Sequence, residues 1–337
     1  MLESYPMMTN TNWGLIGHTW AVNLLRGAME RGELSHAYLF TGPPNVGKRT
    51  LALALAQALF CESDAPPCGV CRGCRLVASG NHPDLHCVAP ETSSGWLGID
   101  QVRDLGRQVS LTPSLGRYRV AILDDFERAT AAAANALLKT LEEPPGYVVL
   151  VLLAPDADAL LPTIVSRCQV VPFRGLPAAQ VEAALVEWWH VEPERAALLA
   201  RLCGGRLGWA VQAALDPAPL QFRAQQLEEL ERLLGASLVK RFSAAAEMAR
   251  TPETVQETLD VWCGWWRDVM IVAGGADIPL NNPDMTERLQ WCAQAVGVER
   301  AAAVVQAIRD AGEQIRRNVN LRLALEVLVA FDLPRVP

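Results

Sequence analysis

Gly42-Pro43-Pro44-Asn45-Val46-Gly47-Lys48-Arg49-Thr50 is a phosphate-binding loop with one part replaced, and its reading decides the fold. Two glycines five apart let successive backbone N–H groups curl around phosphate, and Lys48 can reach the outer phosphates. The apolar run Ala37-Tyr38-Leu39-Phe40 before it reads as a strand. The alanine- and leucine-rich stretch from Lys48 to Leu59 reads as a helix whose N-terminal dipole adds to the anion site. The residue after the lysine should carry a hydroxyl for Mg²⁺, but here it is Arg49, a fixed cation that repels the metal. Thr50 is a poor substitute, because one step along a helix turns a side chain by roughly 100°. Gly42, Asn45, Gly47, Lys48, Arg49 and Thr50 are therefore read as a vestigial or weak nucleotide site. The plainer alternative is a Gly-Pro turn joining strand to helix.

A second apolar strand, Arg119-Val120-Ala121-Ile122-Leu123, ends in Asp124-Asp125. A nucleotide-hydrolysing domain presents a metal-binding acid and a water-activating acid at that place. Asp124 meets the first requirement. Asp125 is one methylene shorter than the glutamate usual for the second. On its own the motif is also what a solvated strand end looks like. Residues 129–142 read as a helix with Ala134, Leu137, Leu138 and Leu141 facing the core, stopped at Glu143-Pro144-Pro145. Another buried strand spans Tyr147 to Leu153. Alternating strands and helices imply a parallel sheet with helices on both faces.

The chain has 337 residues, half of them hydrophobic, and a formal net charge of −7, enough for two or three domains and against a strongly basic DNA-binding one. Only three of its thirty basic residues are lysines (48, 139 and 240), which sharpens the placement of Lys48. The start lacks the pattern of a signal peptide, and no run approaches the ~18 apolar residues of a membrane helix, so a cytoplasmic chain without a membrane partner is expected. Of nine cysteines, Cys61, Cys68, Cys71 and Cys74 follow C-x₆-C-x₂-C-x₂-C spacing, which suits a structural, tetrahedral zinc on a tight loop. A disulfide pair is the competing reading, disfavoured by the odd count in an intracellular chain. His82 and His86 are reserve ligands should Cys61 not serve. Cys87, Cys168, Cys203, Cys263 and Cys292 read as buried small residues.

Several segments together resemble the bacterial clamp-loader family of AAA+ proteins. They are Ile16-Gly17-His18, His36-Ala37-Tyr38-Leu39-Phe40-Thr41-Gly42, the cysteine knuckle, Asn81-His82-Pro83-Asp84, the run Ala134 to Pro145, and Ser166-Arg167-Cys168, with thinner matches at Trp266-Arg267-Asp268 and Asn318-Val319-Asn320. The resemblance implies a P-loop α/β AAA+ domain over 1–173 with a zinc-knuckle insertion at 61–74. It further implies a helical lid over 174–219 and an all-α C-terminal oligomerisation collar over 220–337. It implies partners too: gamma/tau and delta subunits in a hetero-oligomeric ring that places a sliding clamp on primed DNA as a component of DNA polymerase III.

In that family the arginine of the Ser-Arg-Cys triplet projects into a neighbour's ATP site, so Arg167 is the expected finger. Read without the family, it is a surface arginine at a strand edge. ATP-hydrolysing members place a polar sensor where this chain has Leu152-Leu153-Ala154-Pro155. They place a lid arginine where it has Gly208, with Arg206 two positions off. The resemblance therefore implies a subunit without independent catalysis. ATP and Mg²⁺ in its own site, as in a gamma/tau-like ATPase, is the alternative.

Helices are expected beyond the lid at Gln221–Leu234, Ser243–Met248, Glu253–Ala273 and Thr286–Gly297, then after an Asn320 N-cap with Leu321, Leu325 and Leu328 on one face. Trp262, Trp265 and Trp266 lie in an apolar helical pattern and read as packing groups. Arg103, Arg107, Arg117 and Arg119 border a segment open either to template contact or to plain solvation.

Overall fold

A computed structural model describes residues 12–91, 95–316 and 319–336. Asn318 of the resemblance segments lies outside them. The chain divides into two compact units, the first ending at Leu176 and the second beginning at Pro177.

In the first unit the strands are β1 (Ala37–Thr41), β2 (Leu85–Val88), β3 (Arg119–Leu123), β4 (Val148–Ala154) and β5 (Gln169–Pro172). They form one wholly parallel sheet in the order β2-β3-β4-β1-β5. The helices are α1 (Thr19–Arg31), α2 (Lys48–Phe60), α3 (Arg72–Ala78), α4 (Ile99–Val109), α5 (Ala131–Glu142) and α6 (Pro162–Val165). Every residue of β1, β3 and β4 is buried, which requires cover on both faces. Side-chain alternation sorts them. Tyr38, Phe40, Val120, Ile122, Val149 and Val151 join α1 and α2 in one core. Ala37, Leu39, Ala121, Leu123, Leu150 and Leu152 join α4 and α5 in the other.

The expected helix at 129–142 is α5, begun by the Thr130 hydroxyl accepting from the Ala133 N–H at 3.1 Å and ended just before Pro144. The parallel register carries a functional consequence. All five strands point the same way, so the segments after β1 and β3 meet at one edge of the sheet, and those before β4 and β5 meet at the opposite edge.

The second unit is helical, with no strand among its described residues: α7 (Ala178–Trp189), α8 (Pro193–Leu202), α9 (Leu207–Leu215), α10 (Ala218–Leu234), α11 (Leu238–Met248), α12 (Pro252–Ala273), α13 (Thr286–Val296), α14 (Val298–Arg316) and α15 (Leu321–Val327). The division expected at 219/220 falls at the start of α10. Trp262, Trp265 and Trp266 are buried in the core with Leu230, Leu259 and Leu325, as packing groups should be. Trp262 also donates its Nε1–H to the Gln226 carbonyl at 2.9 Å. Asn320 caps α15, accepting from the Leu323 N–H at 3.0 Å.

Arg241 is buried to 1 % exposure, and its guanidinium donates to the carbonyls of Leu233, Leu234, Val329, Leu333 and Pro334. It thereby ties the end of α10 to the C-terminal segment. No helix among the described residues is long and apolar enough to cross a membrane.

Candidate functional site

The loop between β1 and α2 has the geometry its glycines require. Gly42 has φ 141° and Gly47 φ 106°, and a Cβ on Gly42 would stand 2.5 Å from the Phe173 carbonyl oxygen. The Gly42 N–H donates to Pro155 O at 2.8 Å and to Ala154 O at 3.2 Å. Where a polar sensor was sought at the end of β4, the backbone there instead fastens the loop. From the other side, buried His18 contacts Val46 O through Nε2 at 3.1 Å and packs on Phe173. Its pKa is lowered by burial, against the opposing effect of that hydrogen bond.

Lys48 folds back onto the loop, donating Nζ to the carbonyls of Gly42 and Pro43. Burial lowers its pKa, while Glu127, Asp125 and Asp124 nearby act in the opposite sense. Arg49, the residue that replaces the metal-binding hydroxyl, pairs through Nη1 with Oδ2 of Asp124, just beyond β3. Thr50 lies half-buried one step further into α2, and Asn45 is exposed with φ 61°. Asp125 adopts a left-handed conformation with φ 47° and starts a 3₁₀ turn. The donor set does not fit a magnesium ion: the acid that would hold the metal is already held by a guanidinium.

Arg167 is carried on the short link between α6 and β5. Its Nη2 donates to Glu142 Oε1 at 2.9 Å and its Nη1 to the Thr163 carbonyl at 2.9 Å, and its side chain remains 35 % exposed. Gln169 pairs in register with Tyr38, so Arg167 stands before the start of β1, whereas the phosphate loop leaves its end. Five residues of strand separate those levels, about 16 Å at ~3.3 Å per residue.

The four cysteines converge, with sulfurs all within 4.8 Å of one another. Cys61 and Cys71 sulfurs are 3.9 Å apart, against the edge of about 3.8 Å expected for four thiolates ~2.3 Å from a central zinc and far beyond an S–S bond. Backbone N–H groups of Cys68, Cys71 and Cys74 point at the sulfurs of Cys61, Cys68 and Cys71 at 3.3 to 3.5 Å, as thiolate ligands require. The amides of Cys71 and Val70 bring the Cys68 thiol down to about 6. Gly73 is forced by packing, since a Cβ there would meet the Phe60 carbonyl at 2.1 Å. The cluster can hold a metal ion.

The sequence profile described as "DNA polymerase III, delta subunit" matches residues 17–177. The chain is 32 % identical to the DNA polymerase III subunit delta' of Bacillus subtilis over 91 % of its own length and 94 % of the relative's. The chain belongs to the delta-prime subunit family of DNA polymerase III. The Pseudomonas aeruginosa delta' subunit is 35 % identical over 89 % of the chain and 92 % of its own length. The Escherichia coli tau subunit is 35 % identical over 57 % of the chain and 31 % of that longer protein. This is thus a clamp-loader subunit.

Within this delta-prime framework the structure corrects two sequence expectations. Arg119 is buried and donates to the Thr112 carbonyl at 3.0 and 3.3 Å, with Asp84 3.6 Å away, so it is not a surface group for DNA. Cys87 is exposed, because β2 is an edge strand. His82 and His86 are not in the cysteine cluster: His82 stacks on Phe60 and its Nδ1 accepts from the Asp84 N–H, and His86 contacts Arg119.

Glu127 is the residue that sequence reading missed. It lies in the 3₁₀ turn after Asp125, its Oε2 is buried without a hydrogen-bond partner, and burial followed by the Asp125 charge pushes its carboxyl up to about 7. Arg206, two positions from the lid-arginine place, is engaged within its own unit by Asp260 at 3.2 Å and by the Cys203 carbonyl.

Proposed function

We propose that this subunit acts in a hetero-oligomeric clamp-loader ring by lending Arg167 to the ATP site of an adjacent gamma/tau-type subunit, and that it does not hydrolyse ATP itself. The observation carrying the reading is the placement of Arg167 at the opposite edge of the sheet from its own phosphate loop. That separation exceeds the reach of an arginine side chain, so phosphate chemistry assisted by Arg167 takes place on another chain. A guanidinium on the transferring phosphoryl group stabilises the charge that develops in the transition state, and such fingers contribute about 10³ to 10⁵ in rate, roughly 4 to 7 kcal/mol. Glu142 and the Thr163 carbonyl hold the side chain while leaving part of it open to an incoming partner.

Inertness of its own site follows from three departures: Arg49 on Asp124, apolar Ala154 and Pro155 at the end of β4, and Gly208 in the lid. Cys61, Cys68, Cys71 and Cys74 would hold a structural zinc that braces the insertion after α2. The delta subunit completes the ring, and the sliding clamp and primed DNA are met through the assembly. The test is ATP hydrolysis by the purified chain and by a reconstituted loader containing wild type or Arg167→Ala. The chain alone should be inactive, and the variant ring should lose turnover at one site.

A further inference from the structure

Three groups at the phosphate loop are engaged within the chain itself. Lys48 Nζ is spent on the carbonyls of Gly42 and Pro43, the Gly42 N–H on those of Ala154 and Pro155, and the Asp124 carboxylate on Arg49. The last contact joins residues 75 apart in sequence and links the first turn of α2 to the end of β3. In a hydrolysing site those two elements are joined through the ion that a hydroxyl and an aspartate share. Here a side chain makes the connection directly. A divalent cation entering the site would therefore meet the positive charge of the Arg49 guanidinium beside Asp124.

We propose that Arg49 is a built-in cation standing in for the metal: it clasps α2 to β3 and balances Asp124, so that the loop stays closed with neither nucleotide nor divalent ion. A single substitution, Arg49→Thr, then uncovers a site whose nucleotide binding depends on a divalent cation. The assignment goes beyond the role of Arg167 and does not depend on it.

The experiment is calorimetric titration of the full chain with ATP, once with Mg²⁺ and once with EDTA, together with thermal unfolding in EDTA. For wild type the two titrations should agree within about twofold; for Arg49→Thr, Mg²⁺ should tighten binding on the order of tenfold or more. Arg49→Gln and Asp124→Asn should each lower the melting temperature by about 2 °C, and the double variant by no more than either alone, because both remove one contact.

Magnesium-dependent ATP binding by wild type would overturn the proposal. So would an Arg49→Thr chain that keeps its circular dichroism and stays indifferent to Mg²⁺, or additive losses in the Gln/Asn cycle. Should Arg49→Thr not fold, the wild-type titrations and the Gln/Asn cycle still decide. None of these readouts involves Arg167, so failure here and failure of the finger reading are distinguishable.

Discussion

Glu127→Gln isolates one group whose charge the fold disfavours. Glu127 sits beside Asp125 with one carboxylate oxygen buried and unpartnered, and its pKa rises from the usual 4.5 to about 7. Between those values the unfolded chain has released a proton that the folded chain retains, so folding stability falls as pH rises. The stability is fully present below about 4.5, declines through the interval, and reaches its floor above about 7. At ~1.4 kcal/mol per pH unit the loss amounts to roughly 3 kcal/mol. Glutamine is neutral throughout and nearly the same shape, and its amide leaves a polar atom in the same unpartnered position, so that cost is common to both proteins.

The two proteins should be equally stable near pH 4.5, and the variant more stable by roughly 3 kcal/mol at pH 8, about 6 to 12 °C in melting temperature. Urea unfolding of the full chain at half-unit steps from pH 4.5 to 8 measures the difference directly. A constant offset between the two profiles would show that Glu127 is ionised in the folded protein at all these pH values, and the burial argument would be wrong.

Removal of the metal by a chelator, or Cys74→Ser at the buried ligand, should release about one zinc per chain by atomic emission and lower the melting temperature, with Cys68→Ser doing the same. A chain that holds no metal after expression in zinc-replete medium would refute the tetrahedral assignment. Arg241→Met should destabilise the second unit by about 3 to 5 kcal/mol, since it strips the partner from buried carbonyls, as read by chemical unfolding. A loss below about 1 kcal/mol would mean that water replaces the guanidinium.

The central strands and the loop were legible because their signals are local. Arg119–Leu123 carries the continuous apolar run Val120–Leu123 and became β3 residue for residue, and Lys48 opened α2 as its glycine-flanked loop demanded. β2 and β5 leave little trace in the sequence. Each has four residues at an edge of the sheet, where one flank is unpaired and side chains such as Gln169 and Val170 are exposed, so little apolar signal is left to read.

Arg119 was misread because its neighbours come from far away. Asp84 supplies a buried carboxylate that also accepts the Ser114 and Leu115 N–H groups, and nothing in the local sequence announces that arrangement. Burial alone would raise the Asp84 carboxyl, but those bonds and Arg119 outweigh it and hold it below the usual range. The departure at Arg49 was visible, but its partner was not. That a cation replaces the hydroxyl can be read from one position, whereas its pairing with Asp124 needs β1 and β3 brought to either side of β4 in one parallel sheet.

The most direct test is single-turnover ATP hydrolysis in a loader reconstituted with the adjacent gamma/tau-type subunit, comparing wild type with Arg167→Ala. Hydrolysis at the site facing this subunit should fall by about 10³-fold or more, while the purified chain shows no turnover with or without the substitution. An unchanged rate in the variant ring, or magnesium-dependent hydrolysis by the isolated wild-type chain, would contradict the account.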